Sequence, residues 1–470
     1  MKIFKSLLSF TLLTVVCALS VQAKGPNLVI ILTDDQGYAD VGFNGSPDIL
    51  TPNIDTIAAN GIRFTNGYVS FPVCGPSRAG LLTGRYQGRF GFTTNPTINP
   101  KEERAGIPVD EKNIAEVLNQ VDYTSIIIGK WHMGTHPTHH PLSRGFDEFY
   151  GFLSGGHDYF PESLTLNDLS EVTEQWGWYR TKLMHNRTRV EIDEYLTDEL
   201  SNEAVSFVER HHDDENPFFL YLAYNAPHTP MQASQKYLDR FPNLTGKRKI
   251  YAAMLSAVDD GVGRLLGKIR EHNVEEETLI FYLSDNGGAT NNASINAPLR
   301  ANKGSLYEGG IHVPFAAQWK GRLPSGVDYN SPVISLDILA TIAAQANAPI
   351  SEDRPLVGVN LIPHLTGENP DPPHPQLFWR KYDNMSRAIR QGNYKLVDTD
   401  GTTEYMELYD LNEDIGEQNL LAQREYDSDD LKILIRGQPD QIYEMMKAWE
   451  QWSSGLKPLA FPTLGGDLWW

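Results

Sequence analysis

The sequence predicts an α/β fold: a large, mostly parallel sheet flanked by helices, followed by a smaller C-terminal antiparallel sheet. Three observations predict it. Four short runs rich in apolar, β-branched or aromatic residues (27–32, 123–128, 218–222 and 279–283) have the composition of strands buried on both faces. Helix-like stretches such as 113–121 and 252–272 lie between them, and this alternation favours parallel strands joined by helical crossovers. Beyond a proline-rich connector at 370–375 the pattern shortens to the strand-like pieces 376–379, 386–390, 394–397 and 405–409, then a helix-like 440–452.

Taken in order, the chain opens with Lys2 and Lys5, an apolar run over 7–19 and the small-residue step Val21-Gln22-Ala23, the pattern of a secretory leader cut after Ala23. The apolar run is too short for a comfortable membrane span. The expectation is therefore an exported protein, periplasmic or secreted, with no stable membrane anchor. Residues 1–23 are read as signal peptide, 24–370 as a catalytic α/β domain and 371–470 as a C-terminal α+β region and tail, where Trp469 and Trp470 fit no period. Cys17 would leave with the leader, so Cys74 would have no partner for an internal disulfide.

A chain that is 40% hydrophobic and 21% charged has enough apolar surface to fold around a core rather than stay disordered. Its formal net charge of −20 disfavours nucleic acid as a general partner. The same charge gives an anionic substrate no long-range attraction, so any such attraction must come from local cations and bound metal.

The chemistry is concentrated in the polar segments just beyond the strand-like runs. The first run ends in Thr33-Asp34-Asp35-Gln36-Gly37 and the second in Gly129-Lys130-Trp131-His132. The third leads to Asn225-Ala226-Pro227-His228, the fourth to Ser284-Asp285-Asn286-Gly287. Ligands of open α/β sheets bind beyond the carboxyl ends of the strands, where these four runs would deliver acids, a lysine and histidines together. Lys130 and His132 alternate along what reads as an extended segment, so their side chains are expected on one face. Asp34, Asp35, Asp285 and Asn286 make an all-oxygen ligand set suited to calcium or magnesium, although Asp34-Asp35 in isolation reads as a turn or helix cap rather than a ligand pair.

The segment Val73-Cys74-Gly75-Pro76-Ser77-Arg78 reads as a helix start, with Gly84 as its stop. Cys74 then sits where free N–H groups and the helix dipole favour an anion, one turn from Arg78, and the unmodified thiol is expected to be acidic and reactive. The segment resembles the sulfatase signature, Cys-x-Pro-Ser-Arg followed by Leu-Thr-Gly, through Cys74, Pro76, Ser77, Arg78, Leu82, Thr83 and Gly84.

The resemblance implies an alkaline-phosphatase-like fold, hydrolysis of a sulfuric ester, and oxidation of Cys74 to formylglycine by a formylglycine-generating or sulfatase-maturing enzyme. It implies that Asp34, Asp35, Asp285, Asn286 and modified Cys74 bind calcium, preferred over magnesium on that ground alone. The Lys130-x-His132 pair would contact sulfate and nucleophile, and His228 would lie near the leaving oxygen. Lys303 falls in Leu299-Arg300-Ala301-Asn302-Lys303-Gly304, similar to the family's Arg-x-x-Lys-Gly. The nearby Glu308-Gly309-Gly310-Ile311-His312 departs from it, since the family usually has Arg at the position of His312. In Gly155-Gly156-His157-Asp158 glycine stands where some sulfatases have serine, and His157 is expected either to bind substrate or to order its loop. Trp176, Trp178, Tyr179 and His185 lie in an insert whose aromatics would stack on sugars or pack in the core. With Tyr394-Lys395-Leu396 and Glu407-Leu408-Tyr409-Asp410-Leu411 the likeness extends over about residues 26–450.

By that likeness the hydrated formylglycine attacks sulfur, while calcium, Lys130, Lys303 and Arg78 stabilise charge. His228 assists departure of the sugar oxygen and His132 removes a proton afterwards. The expected substrate is a sulfated carbohydrate, either a polysaccharide or an oligosaccharide derived from one. Two alternatives are a phosphodiester or phosphonate monoester hydrolase of the same superfamily and a catalytically inactive sulfated-glycan-binding protein.

Overall fold

A computed structural model describes residues 25–382, 385–402, 405–427 and 432–461. The leader, Cys17, Trp469 and Trp470 lie outside the described residues. Among those described, no helix is long and apolar enough to cross a membrane.

The main sheet has ten strands. In spatial order they are Val327–Tyr329, Ile62–Phe64, Phe315–Gln318, Thr278–Ser284, Asn27–Thr33, Phe218–Ala223, Thr124–Lys130, Glu148–Phe152, Leu183–His185 and Thr188–Val190. The five from Thr278–Ser284 to Glu148–Phe152 run parallel, so the four runs read from sequence are contiguous and end at one edge. Antiparallel pairing of Phe315–Gln318 and Leu183–His185 makes the sheet mixed toward its margins.

Strand Asn27–Thr33 shows why this sheet must be covered twice. Successive side chains point to opposite faces, and every one of its residues is buried. Leu28, Ile30 and Leu32 join a core with residues of helices Cys74–Thr83 and Asp337–Ala346. Val29 and Ile31 join another with helices Pro52–Ala59, Leu196–His211 and Gly246–Glu271. The longest helix, Gly246–Glu271, buries Tyr251, Leu255, Val258, Val262, Leu265 and Ile269, spaced three or four apart on one face. It starts six residues earlier than the apolar period predicts, because its first turn, Gly-Lys-Arg-Lys, carries no buried residue to mark it. Residues 113–121 divide into helix Ile114–Leu118 and the 3-10 turn Asn119–Val121. Asn113 and Glu116 form a reciprocal capping box at its start.

The C-terminal sheet is an antiparallel meander of six strands. They are Gln376–Arg380, Arg387–Gln391, Tyr394–Asp398, Met406–Asp410, Ala422–Asp427 and Lys432–Arg436. Helix Pro439–Ser453 lays Ile442, Met445 and Trp449 onto Ile389, Leu396, Met406 and Leu408. The last two strands went unpredicted: Ala-Gln-Arg-Glu-Tyr-Asp has no apolar alternation to betray a strand.

This sheet is tied to the main one by a buried ionic network. Lys395 Nζ lies 2.7 Å from Glu308 Oε1 and 2.9 Å from Glu417 Oε1, with all three side chains excluded from solvent. Glu308 Oε2 also accepts from Tyr68 Oη at 2.6 Å and faces His312 Nδ1 at 2.9 Å, while Arg390 donates to Tyr68. Burial pushes the Glu417 carboxyl up to about 7 against the pull of Lys395. The Lys395 charge and the hydrogen bond with His312 outweigh burial at Glu308 and hold it well below the carboxylate range. Lys395→Met would leave two acids buried without their cation. The expected cost is about 3–5 kcal/mol, read as a lowered melting temperature; an unchanged melt would contradict this account.

Candidate active site

The backbone carries strand pairing past the carboxyl ends of the parallel strands and so fixes the loops beyond. Asp34 N donates to Ala226 O at 3.2 Å and Asp285 N to Thr33 O at 3.0 Å. Asp35 N donates to Asp285 Oδ1 at 3.3 Å. Asn292 donates to Asp35 O at 3.1 Å and Pro227 O at 3.2 Å, joining the first and third loops. Its side chain went unassigned in the sequence, since a polar loop without period gives no reason to single it out.

Cys74 begins helix Cys74–Thr83, which ends at Gly84 in the left-handed conformation (φ 62°). Val73 offers no capping side chain, and the free Gly75 N–H donates instead to Asn95 Oδ1 at 3.0 Å. Cys74 Sγ lies 3.5 Å from Asp34 Oδ1 and 3.1 Å from Lys303 Nζ. Lys303 Nζ in turn sits 2.6 Å from Asp35 Oδ1, and Lys130 Nζ is paired with Asp34 Oδ2. Residues separated by more than two hundred positions thus meet around one sulfur atom.

Three carboxylates in a dry space repel one another. Burial and the Asp34 charge push Asp285 up to about 6. Asp35 is buried too, but Lys303 and His228 overcome that and hold it well below the usual carboxylate range. One ligand atom from each of Asp34, Asp35, Cys74 and Asp285 falls within 4.8 Å of the others. Asn286 donates its amide to Asp35 Oδ1 at 2.8 Å, leaving its buried Oδ1 without a partner among the described residues. Clustered oxygens and an orphaned carbonyl suit a hard divalent cation, which would relieve both. The residues therefore fit calcium.

Arg78 is fully buried and turned toward the acids: Nε and Nη2 each lie 2.9 Å from Asp285 Oδ2, and Nη1 donates to Lys130 O at 3.0 Å. Its ionic contacts are thus with the candidate metal ligands Asp285 and Asp34. His132 is buried with Nδ1 unpartnered among the described residues, and burial together with Lys130 keeps the ring neutral. The segment is not extended there, as φ is 59° at His132, so alternation along a strand is not what relates the two side chains. The ring nevertheless remains within electrostatic reach of Lys130, Arg78, His228 and Lys303. His228 Nδ1 lies 2.6 Å from Thr229 O, which can only accept, so its hydrogen sits there and Nε2 faces Asp35 Oδ2 at 3.7 Å.

Two expectations change. His157 does not face the cleft: it is buried, with Nδ1 2.8 Å from Asp158 O and Nε2 2.6 Å from Thr181 O. The neutral ring has a single N–H, which one of these carbonyls accepts, and its full burial favours ordering the loop over substrate contact. The Cys74 thiol is not acidic either, since burial pushes it up to about 12 despite Lys130 and Lys303. His312, at the divergent position, belongs to the Glu308 network, with Nε2 3.0 Å from Thr65 O.

Both the buried thiol and the acid cluster can be tested in solution. In metal-free protein that retains an unconverted Cys74, alkylation by iodoacetamide at pH 8 should run about a thousandfold slower than for a free cysteine of pKa about 8.5. Calcium at about 100 times its Kd should stabilise the protein by ~2.7 kcal/mol, seen in thermal melts. Asp285→Asn should reduce that calcium-dependent increment, whereas an increment equal to the parent's would exclude Asp285 as a ligand.

Comparison with known proteins agrees with this geometry. A family model described as Sulfatase matches residues 26–348, and one described as N-sulphoglucosamine sulphohydrolase, C-terminal, matches 301–437. N-acetylgalactosamine-6-sulfatase of Mus musculus is 35% identical over 401 residues, covering 82% of this chain and 75% of that protein. Arylsulfatase A of Bos taurus is 35% identical over 436 residues, covering 85% and 84% respectively. The crystal structure of Ps i-CgsB in complex with k-i-k-neocarrahexaose superposes with a TM-score of 0.85 at 38% identity, covering 95% of this chain and 97% of that one.

Proposed function

The chain belongs to the sulfatase family and is a sulfuric ester hydrolase, and from that premise we propose that it desulfates a polysaccharide or the oligosaccharides derived from it, through a formylglycine made from Cys74. One observation carries the reading. Cys74 Sγ stands 3.1 Å from Lys303 Nζ and 3.5 Å from Asp34 Oδ1, so nucleophile, cation and candidate metal ligand share a single point.

In this reading Sγ stands in for the oxygen that attacks sulfur once Cys74 is converted to the hydrated aldehyde. Calcium, held by Asp34, Asp35, Asp285 and Asn286, would supply Lewis-acid polarisation of that oxygen and of the sulfate. Lys130 and Lys303 hold the anionic ester and the charge that grows on it, at fixed positions set by their ion pairs with Asp34 and Asp35. His228 turns Nε2 toward the site; burial and Lys130 push the ring down to about 3, so the acid role needs the anionic ester to favour a proton at Nε2 for the departing sugar oxygen. His132, buried and neutral, is the base available to take a proton from the nucleophile after sulfur transfer.

The carbohydrate assignment draws support from the relatives' named substrates and ligand, N-acetylgalactosamine-6-sulfate among them and a neocarrahexaose in the other case. Export, and a maturing enzyme in the producing cell, complete the proposal. Intact-peptide mass spectrometry of natively produced protein should find the aldehyde at position 74. Cys74→Ala should lose at least about 10³-fold in sulfate release, and His228→Ala about 10²–10⁴-fold in kcat. Faster hydrolysis of a phosphodiester than of any sulfate ester would favour the phosphohydrolase alternative, and an unconverted thiol the inactive binder.

A further inference from the structure

The insert between strands Thr124–Lys130 and Phe218–Ala223 reaches the site through one side chain. Tyr179 lies against Gly156: a β-carbon there would fall 2.5 Å from the phenol oxygen and 2.6 Å from Cζ. At Gly155 a β-carbon would fall 2.5 Å from His132 Nε2. Two successive glycines thus let a catalytic candidate and a phenol rest against the same short stretch of backbone, which a side chain at either position would push away. The phenol oxygen is within electrostatic reach of Asp34, Cys74, Lys303 and Asp35. Burial and those acids raise its pKa, so it remains a neutral donor at any working pH. Tyr179 is only partly buried, and its hydroxyl has no hydrogen-bond partner among the described residues.

The backbone around Tyr179 is held on both sides. Tyr179 O accepts from Asp158 N at 3.0 Å, and Thr181 O faces His157 Nε2 at 2.6 Å. His157 O accepts from Asn225 Nδ2 at 2.9 Å, tying this segment to the loop that bears His228. Outward from Tyr179 the Trp176 ring lies 5.7 Å away, centroid to centroid, and packs on Trp178 at 5.4 Å. Trp176 is nevertheless 55% exposed. A half-exposed indole next to a phenol that rests on the Gly156 backbone presents an apolar surface and a polar donor in sequence, the pairing a pyranose ring requires.

We propose that Tyr179 donates a hydrogen bond to an oxygen of the sugar that bears the sulfate, while Trp176 stacks on the adjoining sugar ring, making this insert the determinant of carbohydrate over aryl sulfates. The inference rests on the sulfatase reading above and assigns the part of the site that recognises the leaving group.

The test compares Tyr179→Phe and Trp176→Ala with the parent enzyme on two substrates: a sulfated neocarrahexaose and 4-nitrophenyl sulfate. Tyr179→Phe should lower kcat/KM for the oligosaccharide about tenfold. Trp176→Ala should raise its KM by about the same factor with kcat unchanged. Neither variant should change kcat/KM for the aryl sulfate by more than about twofold, and Tyr179→Phe should melt at the parent temperature because the phenol oxygen has no hydrogen-bond partner among the described residues. Parent-like kcat/KM on the oligosaccharide in both variants would overturn the proposal, as would equal losses on both substrates. A parent enzyme that hydrolyses neither sulfate would instead overturn the function on which the proposal rests.

Discussion

The structure depends on balancing charge in a space without water. Asp34, Asp35 and Asp285 are all buried at the ends of neighbouring strands. Each unpaired would cost several kcal/mol, so the fold must bring their counter-charges with it. Arg78, Lys130 and Lys303 do this, arriving from a helix, a third strand and a distant loop. Three permanent cations against three acids leave the cluster near neutral, and a bound divalent ion would then make it positive. That resolves the conflict between an anionic ester and a chain of net charge −20: attraction is local and strong where the dielectric is low.

The same economy explains why the C-terminal sheet belongs to the active site's architecture. Lys303 N donates to Gly288 O at 3.0 Å and Gly304 N to Pro72 O at 2.9 Å, clamping its loop between the Asp285 and Cys74 loops. From the C-terminal sheet side Lys381 Nζ reaches Gly304 O at 2.7 Å, and Lys395 holds Glu308 a few residues further on. Displacing that sheet would therefore move Lys303, the lysine in contact with both Cys74 and Asp35. His157 plays the matching part for the insert, its buried ring set between the Asp158 and Thr181 carbonyls.

Legibility in the sequence tracks the strength of each physical signal. The four central strands are buried on both faces, so their continuous apolar runs were readable, and so was the polar chemistry beyond each. Their adjacency was not, because pairing is set by three-dimensional packing. Ile62–Phe64 and Leu183–His185 are three residues each, too short to show a period. The helix-terminus argument for an acidic Cys74 thiol weighed the dipole and Arg78 but not burial, which dominates. The even spacing of Lys130 and His132 assumed an extended chain, but the strand ends at Lys130. Tyr179 was visible only as one aromatic among several in the insert. Its distinction comes from touching Gly156, a contact no spacing encodes.

The proposed mechanism requires one ion and one modified side chain to share the pocket that these acids and cations enclose. A crystal structure of natively produced protein grown with calcium tests this most directly. The expected result is a single ion coordinated by oxygens of Asp34, Asp35, Asp285 and Asn286 and in contact with the converted side chain at position 74. An ion bound elsewhere, or those four oxygens turned into solvent around an ordinary cysteine, would contradict it.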